Sequence, residues 1–336
     1  ISVMILLLLI VPGSPAFMAP QSFAALIVWV LMGVTFYFVS KKNFAKFELP
    51  YILLLLPFAV CFIAFTIIPV LSSMALSFTD FNLIKINHFV GFQNYIRMFT
   101  DDEVFVIALK NTLIIAVVTA PIGYILSFVI AWLINDIPGP CRALVTFIVY
   151  SPALTGNVYF IWKYIFSGDS RGLFNDVLLK LGLISDPITW LSDTKYNFTI
   201  VMIVTIWLSF GSGFLSFVAG LKALNRTYYE AAAIDGLKNR WQELYYVTFP
   251  QMGPQLMFGA VMSIVNAFNM GWIGVALAGA NPTPDYSGQL IANHIDDYAF
   301  VRYEMGYAAA VSVALLALVW VCSKVANTLF TEKEEY

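Results

Sequence analysis

The sequence predicts an all-α protein, a polytopic transmembrane helical bundle of about eight spans. Three observations carry this. Of 336 residues, 60% are hydrophobic and 11% charged, with a mean hydropathy of +0.81; an ordinary soluble domain carries about 25% charged residues. Apolar stretches near or above the ~20 residues that a helix needs to cross a bilayer recur along the whole chain. The polar intervals between them carry turn signals and short helical patterns.

In chain order, Ile1 to Val11 would reach only about 16 Å as a helix, half of a hydrocarbon core of about 30 Å. No basic segment precedes it as a signal peptide requires, so a truncated first span is expected. Further spans are expected at about 20–39, 50–74, 107–134, 143–166, 199–221, 251–280 and 305–330. Pro12, Gly13, Pro15 and Pro20 break the first connection. A polar loop ending in Asp101, Asp102 and Glu103 precedes the fourth span, and Asp136 to Arg142 is a tight Pro-Gly turn. The interval 167–198 holds Ser167-Gly168-Asp169 and Asp186-Pro187, and 281–304 holds Asp285, Asp296, Asp297 and Glu304. Residues 1–49 are expected to form two accessory N-terminal segments and a cytoplasmic linker, and 50–336 a six-helix core.

Charge sets the orientation. Lys41, Lys42, Lys46, Arg142, Lys222, Arg226, Lys238, Arg240, Lys324 and Lys333 fall in the loops and C-terminus on one side. Their density marks that side, with both termini, as cytoplasmic in a cell membrane. The net charge of −2 gives no nucleic-acid signal. Cys61, Cys141 and Cys322 have no metal spacing and read as free thiols. His88 and His294 read as solvated loop residues. No GxxxxGK[ST] or GxGxxG cradle occurs, so no cofactor or metal is expected.

The interval Thr227 to Pro250 reads as two short helices with a break. Thr227 and Glu230 have the spacing of a capping box. Ala231, Ala232 and Ala233 favour helix, and Gly236 stops it. A second run, Lys238 to Thr248, carries Trp241, Leu244, Tyr245 and Val247. A small rigid helix on a cytoplasmic loop suits docking into a groove of another protein.

Central portions of the spans contain no ionisable residue, while Lys163 and Lys324 lie near ends, where their stems reach the interface. That argues against a proton-coupled carrier; sodium coupling through backbone carbonyls escapes the test. The polar residues in the spans are neutral. Ser209, Gly211, Ser212 and Gly213 interrupt the sixth, Asn266 and Asn269 lie one turn apart in the seventh with Ser263 on the same face, and Tyr150, Ser151, Thr155 and Asn157 sit in the fifth. Amides and hydroxyls of this kind hold a neutral polyhydroxyl ligand, with Phe268 or Trp272 over its apolar faces. Interhelical hydrogen bonding competes with that reading, and is the favoured one for the serines and Thr155. A membrane-embedded enzyme finds no carboxylate pair, metal cluster or nucleophile with its base; a self-contained secondary transporter for a neutral solute leaves the Thr227–Pro250 interval unexplained.

Glu230-Ala231-Ala232, then Gly236, then Phe249-Pro250, resembles the EAA loop of ABC importer permeases, with Phe249 in place of the family's Leu. FVGFQNYIRMF at 89–99, ALKNTL at 108–113 and GYAAAVS at 306–312 extend the resemblance over about 50–330, to carbohydrate-importer permeases of the maltose type, larger membrane subunit. The resemblance implies an ABC type I importer permease fold, half of a heterodimeric pore formed with a second homologous permease. It implies an extracellular or periplasmic sugar-binding protein, and two ATPase subunits docking on the 222–250 loop through Glu230, Ala231, Ala232, Asp235, Gly236 and Pro250. It places sugar contacts on Asn266 and Asn269, beside Ser263, Phe268, Ser209, Ser151 and Thr155. One departure stands out: residues 75–106 are too few for the large extracytoplasmic insertion of the maltose subunit.

Overall fold

The computed structural model describes residues 49–82, 88–155 and 159–331. The two N-terminal segments of the sequence reading, with Gly156 and Asn157, lie outside the described residues. The chain divides into two units, Ile1–Ala75 and Leu76–Tyr336. The described part of the first is one apolar helical rod: α1 (Leu49–Phe62), a π-turn (Ile63–Ile67) and α2 (Ile68–Leu76), which ends at the unit boundary. Leu55, Phe58, Phe65 and Leu71 are more than half exposed, as lipid-facing side chains are.

The second unit is helical apart from one isolated bridge, Thr79 to Phe89. The connection that precedes the long central helix carries α3 (Gln93–Thr100). The central rod is α4 (Glu103–Asn135), 33 residues, about 50 Å at 1.5 Å per residue and longer than a hydrocarbon core of about 30 Å. The fifth span is divided into α5 (Gly139–Leu154) and α6 (Tyr159–Ile165). The interval 167–198 is not plain loop, since it folds α7 (Leu173–Lys180). The sixth span is α8 (Thr194–Leu208) and α9 (Ser212–Ala223), interrupted at 209–211. A loop then carries α10 (Arg226–Ile234), α11 (Arg240–Glu243), a π-turn (Leu244–Thr248) and α12 (Phe249–Gln251). The seventh span is α13 (Gly253–Asn269) and α14 (Trp272–Ala278), bent by 45°. After α15 (Ile291–Asp296) comes α16 (Met305–Thr331). Among the described residues, four helices are long and apolar enough to cross a membrane, or six if each bent pair is one span.

Three apolar clusters build the core, and α4 contributes to all of them. Phe105, Ala108, Ala116 and Ala120 pack with Ala267, Phe268, Ile291 and Tyr307 toward the start of α4. Ile115 packs with Val201, Val204, Leu208 and Ile273. Phe128, Ala131 and Ile134 pack with Phe214, Phe217, Leu244 and Met252 toward the loop of α10–α12. A helix that alternates its partners this way is apolar all round and still fixed in rotation.

The Asp102 end of α4 is held by polar groups that sequence reasoning misjudged. His294 is not a solvated loop residue: it sits in α15 with its side chain 1% exposed, Nε2 2.8 Å from Asp102 Oδ2. Tyr307 Oη donates to the same oxygen at 2.7 Å, and Asp102 Oδ1 accepts from the Phe105 N–H at 3.0 Å as the cap of α4. The polar-looking interval 281–304 folds back because these partners are waiting beneath it. His88 is exposed, as expected. Burial by itself would raise the Asp102 pKa, but hydrogen bonds from His294, Tyr307 and Phe105 outweigh it and hold the carboxyl well below the usual carboxylate range. Asn111 Nδ2 donates to the carbonyls of Tyr286, Ser287 and Gln289, and the Arg97–Glu304 ion pair ties α3 to the start of α16.

Asp102→Ala leaves the buried His294 ring and Tyr307 hydroxyl without an acceptor. At about 1–3 kcal/mol per orphaned group, the thermal unfolding midpoint in detergent should fall clearly, and fall less in Asp102→Asn, which keeps an oxygen. Because the Asp102 pKa is lowered, its contribution is present above the unfolded value of about 3.9 and is lost only as pH falls through the lower folded value. The Asp102 carboxylate itself should therefore keep its charge, and with it its acceptor role, down to about pH 5.

Candidate functional site

The three interrupted spans of the second unit meet at one place. The C-terminal turn of α5 brings Tyr150, Pro152, Ala153 and Thr155; the α8/α9 break brings Leu208, Gly211 and Ser212; the α13/α14 bend brings Asn266, Met270 and Trp272. Together they line a cleft of about 260 Å³. Each interruption has a cause in the sequence. Pro152 lacks the N–H that would bond within α5. Gly211 takes φ −104° and ψ −141°, outside the helical region, and α9 starts after it with no side chain capping its first N–H groups. At the bend, a Cβ on Gly271 would lie 2.6 Å from Ala292 Cβ and from Asn293 Oδ1.

The relative position of α9 and α13 comes from a close backbone crossing. A Cβ on Gly213 would meet Gly259 Cα at 3.4 Å, and one on Gly259 would lie 2.2 Å from Phe217 Cζ. With no side chain between them, the helices approach as small-residue interfaces do in membranes. Two turns further along α13, Asn266 is then brought beside Gly211, whose Cβ would stand 3.6 Å from the amide nitrogen. Asn266 is half-buried and makes no side-chain hydrogen bond to another described residue.

Of the residues singled out in the spans, Asn266 and Thr155 line this cleft. Tyr150, Gly211, Ser212 and Trp272, noted as polar interruptions or as a stacking ring, line it too; Leu208 and Met270 were missed, although both flank breaks. Asn269 is exposed as the last residue of α13 and Ser263 is half-buried one turn before Asn266, and neither is part of the lining. Phe268 is not available as a stacking ring, because it is 1% exposed within the core cluster toward the start of α4. One residue of helix, about 100°, separates it from Ala267 and Asn269, which the face assignment did not resolve. Ser209 points away, against Gly123 of α4, its hydroxyl donating to the Ile206 carbonyl at 2.6 Å. Ser151 and Thr155 donate back to Ile148 and Ser151 carbonyls at 2.8 and 2.9 Å. Serine at a span end satisfies itself first.

The loop 224–251 forms the second candidate region. Here the cap differs from the Thr227–Glu230 box: Asn225 caps α10, accepting from the Thr227 N–H at 3.0 Å, because Asn in extended backbone at the helix entry reaches that donor first. Glu230, a full turn inside the helix, pairs instead with Arg226 at 3.7 Å, both side chains largely exposed. Ala232 is buried, while Ala231, Asp235 and Pro250 are exposed. Gly236 has φ +95°, and the N–H groups of Gly236 and Leu237 close the helix on the Ala233 and Ala232 carbonyls. Tyr229 Oη and Thr248 Oγ1 are 2.9 Å apart, and Arg240 pairs with Asp136 while lying over the Trp132 ring. The loop is thus fastened to the end of α4. Ile234, the last residue of α10, is 87% exposed.

Comparison with known proteins points one way. The family described as binding-protein-dependent transport system inner membrane component matches residues 111–331. The probable ABC transporter permease protein YesP of Bacillus subtilis is 30% identical over 84% of this chain and 88% of its own length. The arabinooligosaccharides transport system permease protein AraP of the same organism is 28% identical over 87% of this chain and 90% of its own. Among solved structures, a bacterial ABC transporter that imports the acidic polysaccharide alginate aligns with a TM-score of 0.69 at 23% identity, over 85% of this chain and 96% of that one, which shows the shared fold.

The Gly213–Gly259 crossing makes a direct prediction. Gly259→Val forces the Phe217 ring out of place, at about 1–3 kcal/mol for an overpacked core. The unfolding midpoint should fall, and Phe217→Ala in the same background should recover part of the loss. Purely additive effects in that double-mutant cycle would show that the two residues do not meet.

Proposed function

We propose, from the premise that this chain belongs to the binding-protein-dependent transport system inner membrane components, that it is a permease subunit of an ATP-driven importer whose cargo is a sugar, an oligosaccharide. The observation that carries the cargo is the cleft of Asn266, Thr155, Tyr150, Ser212 and Trp272: neutral donors and acceptors, one exposed indole, and no charge. An amide offers two donors and an acceptor, which matches a hydroxyl that both gives and takes. Uncapped N–H groups at the start of α9 add donors, and the Trp272 ring offers a face to the C–H side of a pyranose. Interrupted helices meeting away from either surface are how transporters place polar backbone against a solute. The relatives named for arabinooligosaccharides agree with this cargo class.

The same reading assigns the remaining parts. A second homologous permease completes the pore, and an extracellular or periplasmic binding protein delivers the sugar. Two ATPase subunits dock on the loop of α10, with Glu230, Ala231, Ala232, Asp235, Gly236 and Pro250 at the contact and both termini on that cytoplasmic side. Substrate contacts rest on Asn266 and Thr155, with Asn269 and Ser263 on the approach.

Asn266→Ala should lower uptake at sub-saturating sugar by about tenfold, the size of one lost hydrogen bond to a hydroxyl, with assembly intact by co-purification. Wild-type uptake in that variant would reject the cleft as the sugar site. At the loop, Glu230→Gln preserves side-chain length and removes charge. If Glu230 meets a cation on an ATPase, sugar-stimulated ATP hydrolysis should drop; full retention would leave Glu230 only its ion pair with Arg226.

A further inference from the structure

We propose that Asn293 of α15 is a positioning residue for the cleft of Asn266, Thr155 and Trp272. It fixes the α13/α14 bend from behind, at Gly271, and supplies the acceptor for the Gly271 N–H when the bend tightens. The proposal rests on the reading of that cleft as the sugar site, and adds to it a residue that is not part of the lining.

Buried asparagines elsewhere in the chain spend their amides on the fold. Asn94 Nδ2 donates to the Ser77 and Thr79 carbonyls at 2.8 and 2.9 Å. Asn175 donates to the carbonyls of Ser167, Asp169 and Ile188 and accepts from the Ile188 N–H and from Trp190 Nε1. Asn197 Nδ2 donates to the Leu191 carbonyl at 2.7 Å. Asn293 is 2% exposed, yet neither its Oδ1 nor its Nδ2 has a hydrogen-bond partner among the described residues. A buried amide left unbonded costs stability without building the fold, so its use lies elsewhere. Its position shows where. A Cβ on Gly271 would stand 2.6 Å from Asn293 Oδ1 and 3.3 Å from the Asn293 backbone nitrogen, so α15 lies directly against the backbone of the bend. Gly271 is buried between Met270 and Trp272, two residues of the cleft wall. The helical ladder is broken there. The Gly271 N–H makes no hydrogen bond to another described residue, and bonding resumes with the Ile273 N–H on the Met270 carbonyl at 3.2 Å. An unused donor and an unused acceptor thus stand side by side behind the wall. The element that carries the acceptor is fastened on both sides of Asn293: the Ile291 N–H donates to Thr112 Oγ1 at 3.0 Å, and His294 Nε2 lies 2.8 Å from Asp102 Oδ2. The bend therefore rests on a fixed side chain. When α14 turns toward α15, the Gly271 N–H meets Oδ1, and the Trp272 ring, next in the chain, is drawn with it.

The test uses the full chain in detergent and no sugar, so its failure is distinct from failure of the sugar reading, which Asn266→Ala tests by uptake. Asn175→Ala serves as the comparison, because it removes the same atoms from a buried asparagine that is bonded. Asn175→Ala should lower the thermal unfolding midpoint by about 2 °C or more. Asn293→Ala should lower it clearly less, because no hydrogen bond is lost. Acrylamide quenching of Trp272, taken as the difference between each protein and its Trp272→Phe counterpart, reads the position of the cleft wall. It should rise in Asn293→Ala, where the ring is no longer held from behind, and stay at the wild-type value in Asn175→Ala. An Asn293→Ala midpoint as low as that of Asn175→Ala overturns the proposal, since the amide then serves the fold. Unchanged Trp272 quenching in Asn293→Ala overturns it too, since the bend then keeps its angle without Asn293.

Discussion

The backbone contact between α9 and α13 governs the second unit. Where Gly213 meets Gly259, a Cβ on Gly213 would touch Gly259 Cα at 3.4 Å and one on Gly259 would run into the Phe217 ring at 2.2 Å, so a larger residue at 259 has no room. Phe217 fills the notch on one side, and Gly220 makes the same kind of room for Gln255 and Met252 a turn below. With that crossing set, Asn266 faces Gly211, the start of α9 opens into the cleft, and the loop joining the helices returns to the end of α4. A membrane interior offers no hydrophobic force to press helices together, so close packing of this kind has to supply the specificity.

Polarity is distributed unevenly around that crossing. One set of charged and hydrogen-bonded groups lies at the start of α4, where Asp102 serves the α4 cap, His294 and Tyr307 together. A second set of charges lies at the other end, around Arg240 and Asp136. Between them the cleft holds amide, hydroxyl and indole only. Charges where water or a full set of partners is at hand, and neutral dipoles in between, is the arrangement that desolvation costs favour.

Much of this was legible in the sequence. Span positions followed from apolar run length, and the break in the sixth span followed from Ser209 to Gly213; the break after α5 and the bend between α13 and α14 were not read, because the apolar runs continue past Pro152 and Gly271. The left-handed turn at Gly236 followed from its place after an alanine-rich helix. What failed has a common cause. Phe268 and Ser209 were assigned by proximity in sequence to polar neighbours, whereas a shift of one residue turns a side chain by about 100°. His294 was assigned to solvent because its partners, Asp102 and Tyr307, are far away in the chain. The Thr227 cap was displaced by Asn225, two residues earlier and just as able to cap. Periodicity finds faces, while pairing across long separations is a property of the folded core.

Gly236 has a further consequence. Its positive φ, the ring of Tyr229 against Thr248 and the Arg240–Asp136 pair fix the loop's shape from inside the chain. The exposed face around Ile234 is therefore held by contacts within the chain itself. Contacts made within the chain leave less of the loop to be ordered when anything binds to that face.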